Sequence, residues 1–245
     1  MGAIMAILDY SVVGKTAVIT LTNGENKQDL PFAQAMLDAI AQAEADKSIK
    51  ALVITAVDEK NWSQGVNLQW LMGKMAKTGA GGQDDIKAFM YAMNDVFAKL
   101  LTVPFPTIAA ITGHAFGNGA ILACACDFRF MRQDRGYFCF PEVDVSIPFL
   151  PSMIETVKTA VPYYRFNEMK LTGRRITADE ALADHILQGA CANPEATTEA
   201  AMEFAATFNK GRGIFGEHKR RLHRHILAAM DTQDKDYIDA LQLMA

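Results

Sequence analysis

Ile111-Thr112-Gly113-His114-Ala115-Phe116-Gly117-Asn118-Gly119-Ala120-Ile121-Leu122 is an apolar strand that turns through closely spaced glycines into a run too rich in small residues for a surface. It reads as a strand followed by the start of a buried helix. Gly117 and Gly119 let the backbone turn tightly and let a ligand approach. The first turn of the helix has N–H groups without intrahelical partners, which suits it to hold developing negative charge. Further along, Phe138-Cys139-Phe140-Pro141-Glu142-Val143-Asp144-Val145 sets a carboxylate in an apolar run, where burial raises a pKa toward that of a useful base. An anion cradle followed by such an acid points to enolate chemistry.

The rest of the chain builds a core around this turn. It has 245 residues, 50% of them hydrophobic and 21% charged, enough for one large domain or a domain with an appendage. The net charge of -4 gives no overall attraction to nucleic acid or to acidic membranes. No stretch has the pattern of a secretory signal or the length of a membrane span, so the expected compartment is the cytoplasm. Cys124, Cys126, Cys139 and Cys191 form neither a zinc spacing nor a disulfide framework and read as reduced core thiols.

Ile7 to Ser11 and Ala17 to Leu21 read as strands paired across Gly14, and Asp29-Leu30-Pro31 opens an amphipathic helix through Ala45. Ile49 to Ala56 reads as a buried strand. A helix from Asp84 to Leu101, a strand from Thr107 to Ile111, a helix from Asn118 to Ala125 and a strand from Phe128 to Met131 repeat the order, giving an α/β fold of ββα-like units. Lys74 to Asp85 contains Thr78-Gly79-Ala80-Gly81-Gly82 and is expected to be a loop, either a lid or a linker. Thr177-Ala178-Asp179-Glu180 forms a capping box before a strand-like Ile186 to Ala190. Helices over Glu195 to Phe208, Phe215 to Met230 and Lys235 to Met244 form a C-terminal appendage, whose apolar face must pack on the core or on another subunit.

Two glycine-bearing turns, one at Ser63-Gln64-Gly65-Val66-Asn67-Leu68 and one at Gly113 to Gly119, are placed to aim two amides at one oxygen. Neither matches the dinucleotide fingerprint or the P-loop. Glu142 stands open between a base and a structural carboxylate satisfied by backbone N–H groups or a basic neighbour. In an extended run Asp144 would share its side of the strand and pair with Arg129 or Arg132. His223 and His225 read as solvated. Lys219, Arg220, Arg221 and Arg224 read as a hydrated helix face, with phosphate binding as the alternative. Trp62 and Trp70 flank the Ser63 to Leu68 turn as packing anchors or as contacts to an acyl chain or adenine. Without a Gly-x-Ser-x-Gly elbow or a base beside Ser63, serine hydrolysis fits poorly.

These motifs, in order from Leu21 through Gly189, resemble the crotonase (enoyl-CoA hydratase/isomerase) superfamily. Leu21-Thr22-Asn23-Gly24-Glu25-Asn26-Lys27-Gln28 is similar to its first CoA-contacting loop, Ser63 to Leu68 to its Ser-Ala-Gly-Ala-Asp-Leu loop, and Leu171-Thr172-Gly173-Arg174-Arg175-Ile176-Thr177-Ala178-Asp179-Glu180-Ala181 to its later helix signature. The resemblance implies a crotonase-like spiral of ββα units over residues 1–190 and a helical oligomerisation region over 191–245, in trimers or hexamers. It implies oxyanion-hole amides at Val66 and Asn118, and an acyl-CoA substrate bound through Lys27, Ser63, Gln64, Gly65, Leu68, Phe116 and Gly117, with no metal or redox cofactor. Coenzyme A would be part of the substrate. No nucleic-acid or membrane partner is expected.

The departures point to a subfamily. Hydratases of this kind carry a second glutamate where Ile121 stands, leaving Glu142 alone. Hydration divides its proton transfers between two carboxylates, whereas moving a double bond from C3 to C2 needs one base that removes a C2 proton and returns it at C4. Pro141-Glu142-Val143-Asp144-Val145, with Ile147-Pro148-Phe149 and Pro151, also resembles monofunctional Δ3,Δ2-enoyl-CoA isomerases. The alternatives are a hydratase and a non-catalytic acyl-CoA-binding member, and the resemblance adds RNA binding as a further option whose only support is the Lys219 to Arg224 cluster. Asn118 replaces a glycine of the family, a change acceptable if its backbone is left-handed.

Overall fold

The computed structural model describes residues 6–76 and 80–242. An antiparallel hairpin, β1 (Leu8–Val13) and β2 (Thr16–Leu21), turns at Gly14. After the short β3 (Lys27–Gln28), α1 (Leu30–Ala45) starts where Asp29 accepts a hydrogen bond from Phe32 N–H and caps the helix. There follow β4 (Ala51–Ala56), β5 (Asn61–Ser63), β6 (Gly65–Val66), α2 (Leu68–Met75) and α3 (Ala80–Thr102). Next come β7 (Thr107–Ile111), β8 (His114–Phe116), α4 (Asn118–Ala125), β9 (Phe128–Arg132) and β10 (Phe138–Cys139). A 3-10 turn over Pro141–Asp144 leads to α5 (Pro151–Ala160), α6 (Tyr163–Thr172), β11 (Arg175–Ile176) and α7 (Ala178–Ala183), which carries the expected capping box. The chain closes with β12 (Gly189–Cys191), α8 (Pro194–Ala206), α9 (Arg212–Ala229), a π-helical stretch over Met230–Asp234 and α10 (Lys235–Asp239).

The main sheet runs β1-β2-β4-β7-β9-β12, parallel beyond the first hairpin, and a second sheet runs β11-β10-β8-β5. Strands buried on both faces read as continuous apolar runs, and side chains alternate between the faces. Leu52, Ile54, Ala109 and Ile111 enter the large core with α1 and α3. Their neighbours Ala51, Val53, Ile108 and Ala110 join a separate cluster with Ala201 and Ala205. Thus α8 is the outer layer of this sheet, and its apolar face packs on the core. Residue 190, the expected end of the spiral core, lies inside β12.

Several expectations need correction. Gly81 and Gly82 lie in α3 rather than in a loop, because the packing of Phe89, Met93, Val96, Phe97 and Leu100 outweighs about 1 kcal/mol of lost propensity per glycine. Residues 77–79 of that stretch lie outside the described residues. Lys219 is 4% exposed and donates to Asp127 (2.6 Å) and Leu100 O (2.8 Å), so it does not belong to a hydrated face. Arg220 and Arg221 do, and both pair with Glu217. His223 is buried at 6% exposure, whereas His225 is exposed. The last helix ends at Asp239, and residues 243–244 of its expected span to Met244 lie outside the described residues. Cys124, Cys126 and Cys139 are buried free thiols and Cys191 is half-buried.

Candidate active site

The two glycine-bearing turns meet backbone to backbone. A Cβ on Gly65 would lie 2.6 Å from Phe116 O and 3.0 Å from Asn118 N, and one on Gly119 would lie 2.7 Å from Ser63 O, so only glycine allows this approach. Gly117, at φ 56° and ψ -125°, ends β8 and caps α4. This conformation corrects the expectation for Asn118, which is the first helical residue and not left-handed. Its N–H lies in the first turn and has no intrahelical partner. Across the contact, Asn67 N–H donates to Gln28 O (2.7 Å) in the parallel pairing of β3 and β6. Alternate N–H groups of a strand face opposite sides, so Val66 N–H faces away from β3.

A buried polar chain fixes this junction. Asn118 Nδ2 donates to Gln28 Oε1 (2.7 Å), Gln28 Nε2 to Ser63 Oγ (3.2 Å), and Ser63 Oγ to Asn26 O (2.8 Å). Ser63 is therefore a buried spacer, and Gln64 is tied to Asn61. Lys27 pairs with Glu25 at 2.6 Å, and Leu68 opens α2 as a partly exposed residue. The Phe116 ring packs against His114 (4.8 Å) and beneath Arg175 (5.2 Å), so Phe116 meets the junction through its backbone.

Beside the junction lies an apolar pocket lined by Val66, Leu71, Phe89, Met90, Asn118, Ile121, Glu142 and the Ile147 to Leu150 segment with Met153. Glu142 is the one ionisable group among these residues. It sits on the 3-10 turn, not on the extended strand expected, because Pro141 starts a tight turn that lifts the acid off β10. Its Oε1 lies against Gly117, where a Cβ would come within 2.8 Å. Its Oε2 is sealed from solvent with no hydrogen-bond partner. Burial raises its pKa to about 7, against smaller pulls from its own N–H and from Lys170. Asp144 rests against Gly173 instead of pairing with Arg129 or Arg132. Arg132 pairs with Asp134 at 2.6 Å, and Arg129 donates to the carbonyls of Cys126 and Ile186.

The pocket's walls and its acid thus come from separate segments, which close apolar side chains around a single carboxyl group. The sequence matches the enoyl-CoA hydratase/isomerase family over residues 13–242. This chain belongs to the enoyl-CoA hydratase/isomerase family, the crotonases. Its curated relatives include "Enoyl-CoA delta isomerase 2, peroxisomal" of Arabidopsis thaliana, 33% identical over 74% of this chain and 76% of that protein. A "Putative enoyl-CoA hydratase" of Thermus thermophilus is 31% identical over 69% of this chain and 65% of that protein. Among solved structures, an enoyl-CoA hydratase from Bacillus halodurans superposes with a TM-score of 0.83 at 19% identity, covering 96% of this chain and 93% of that one, a likeness of fold. No described helix of this crotonase is long and apolar enough to cross a membrane.

Some pocket residues of the crotonase were not legible beforehand. Phe89 and Met90 sit in an ordinary amphipathic helix, and periodicity cannot separate a core face from a pocket wall. Gln28, which anchors Asn118, and Asn26, whose carbonyl holds Ser63, stand behind the pocket and become partners only through long-range pairing. Trp62 is a buried anchor donating to Ile54 O (3.3 Å), while Trp70 packs edge-on against Phe89.

Proposed function

We propose that this crotonase is a Δ3,Δ2-enoyl-CoA isomerase. The observation that carries the reading is a single unpaired carboxylate, Glu142, in an apolar pocket whose position 121 is a buried isoleucine at 1% exposure. The thioester oxygen accepts hydrogen bonds from Val66 N–H and Asn118 N–H. Glu142 removes a proton from C2, and the C2–H electrons pass through the thioester to that oxygen as a dienolate. The carboxyl proton then forms the new C4–H bond as the double bond settles between C2 and C3. Atoms and charge balance with no redox or metal group in the scheme. One oxyanion donor typically supplies about 3 to 4 kcal/mol of transition-state stabilisation.

Lys27, Leu68 and the backbone at Gly65, Phe116 and Gly117 complete the acyl-CoA contacts in this reading, while Ser63 and Gln64, first expected to touch substrate, hold the turn behind them. Trimers or hexamers assembled through the C-terminal helices belong to it too, supported by exposed Ile214 and Leu222 on α9. Hydration is disfavoured because Ile121 cannot orient or deprotonate water. The test is a pair of thioesters. A 3-enoyl-CoA should gain conjugated absorbance rapidly, while a 2-enoyl-CoA should lose it slowly or not at all. Rapid loss from the 2-enoyl-CoA would favour a hydratase, and tight binding without turnover of either would favour a non-catalytic member.

A further inference from the structure

Lys170 on α6 is half-buried, and among the described residues it forms neither an ion pair nor a hydrogen bond. Its ammonium sits 3.9 Å from the centre of the Phe149 ring. Phe149 lines the same pocket as Glu142, and α6 packs against the 3-10 turn that carries the acid. An ammonium withdrawn from water onto an aromatic face keeps its charge by cation–π attraction and by any nearby anion. We propose that Lys170 is a positioning residue for Glu142, a charge seated on the pocket wall that holds the unpaired carboxylate ionised and ready to accept the substrate proton. The role rests on the isomerase reading, although the charge coupling itself can be measured without turnover.

The surroundings leave Lys170 as the main compensating charge. From β10, Cys139 faces Glu142 as a thiol pushed up to about 12 by burial. Arg175 of β11 and Asp144 of the same turn act on that thiol. The helices α3, α4 and α5 present Phe89, Met90, Asn118, Ile121 and Met153 to the pocket, none of them charged. Burial lowers the Lys170 pKa while Glu142 raises it, and Lys170 in turn lowers that of Glu142.

The experiment follows the Glu142 side-chain carboxyl by carbon-13 NMR across pH, with Glu142→Gln assigning the signal. Lys170→Met and Lys170→Gln should each move the titration upward by on the order of one pH unit, and Lys170→Arg should restore it. The acid limb of kcat/KM for the isomerisation should move with it. An unmoved titration in both neutral variants, or an equal shift in Lys170→Arg, overturns the proposal. If the carboxyl shifts as expected but Glu142→Gln remains fully active, the coupling stands and the isomerase reading fails.

Discussion

Asp127 and Glu142 are both carboxylates held largely away from water, with opposite surroundings. Asp127 accepts from Thr107 N–H (2.8 Å), Thr107 Oγ1 (3.0 Å) and the buried Lys219 (2.6 Å). Glu142 has one oxygen against Gly117 and the other without a partner. Asp127 fits the description of a structural acid satisfied by backbone N–H and a basic neighbour, which the sequence had left open for Glu142. Burial alone does not distinguish the two, but their hydrogen-bond partners do. A satisfied carboxylate ties β7 to α9, whereas an unsatisfied one keeps free lone pairs for a proton from outside the protein.

The comparison predicts a crossed pair of phenotypes. Glu142→Gln should lower kcat for isomerisation roughly 10²- to 10⁴-fold with the fold intact by circular dichroism. Asp127→Asn should leave turnover per folded molecule near wild type but cost about 3 to 5 kcal/mol of stability in urea unfolding, since it strands Lys219. Adding Lys219→Met should recover part of that loss. If the two variants exchanged phenotypes, the distinction would be lost.

A smaller effect is expected at the contact between the acid and the turn. Gly117→Ala would place a side chain in a conformation suited to glycine and against Glu142 Oε1, so stability should fall by about 1 to 3 kcal/mol. Turnover should fall up to about 100-fold through misplacement of the acid, read by comparing kcat with the melting temperature.

The last effect is confined to stability and depends on pH. The folded-state pKa of Glu142 is raised to about 7 from 4.5. Its contribution is therefore fully present below the unfolded value and is lost as pH rises through about 7. The permanently neutral Glu142→Gln avoids that loss. Its melting temperature should match wild type near pH 4 and exceed it by about 7 °C or more at pH 8. Equal melting temperatures across this range would mean that the carboxylate is better compensated than its surroundings indicate.

Local chemistry made much of this architecture legible. The Thr107–Ile111 strand and the Asn118–Ala125 helix follow from unbroken apolar runs separated by glycines, and the α1 start follows from the Asp29 cap. What escaped reading depends on distant partners. Nothing near Lys219 in sequence shows that Asp127 and Leu100 O await it, and nothing near Gly81 and Gly82 shows how much apolar surface α3 buries. The residues of the two turns could be named because their spacing is local. The polar chain behind them, from Asn118 through Gln28 and Ser63 to Asn26, exists only once β3, β5 and α4 are assembled. For Glu142, the apolar flank foretold a shielded acid, but only the folded chain shows an oxygen without a partner.

The central claim is that one acid carries hydrogen between two carbons, and isotope tracing tests it most directly. A 3-enoyl-CoA carrying two deuterons at C2 is converted in ordinary water, and the earliest 2-enoyl product is analysed at C4. Glu142 Oε2 is sealed from solvent, so a measurable share of the deuterium should arrive at C4, from one face of the chain. A product whose C4 hydrogen comes wholly from solvent, even in the first turnovers, would contradict the single-acid account.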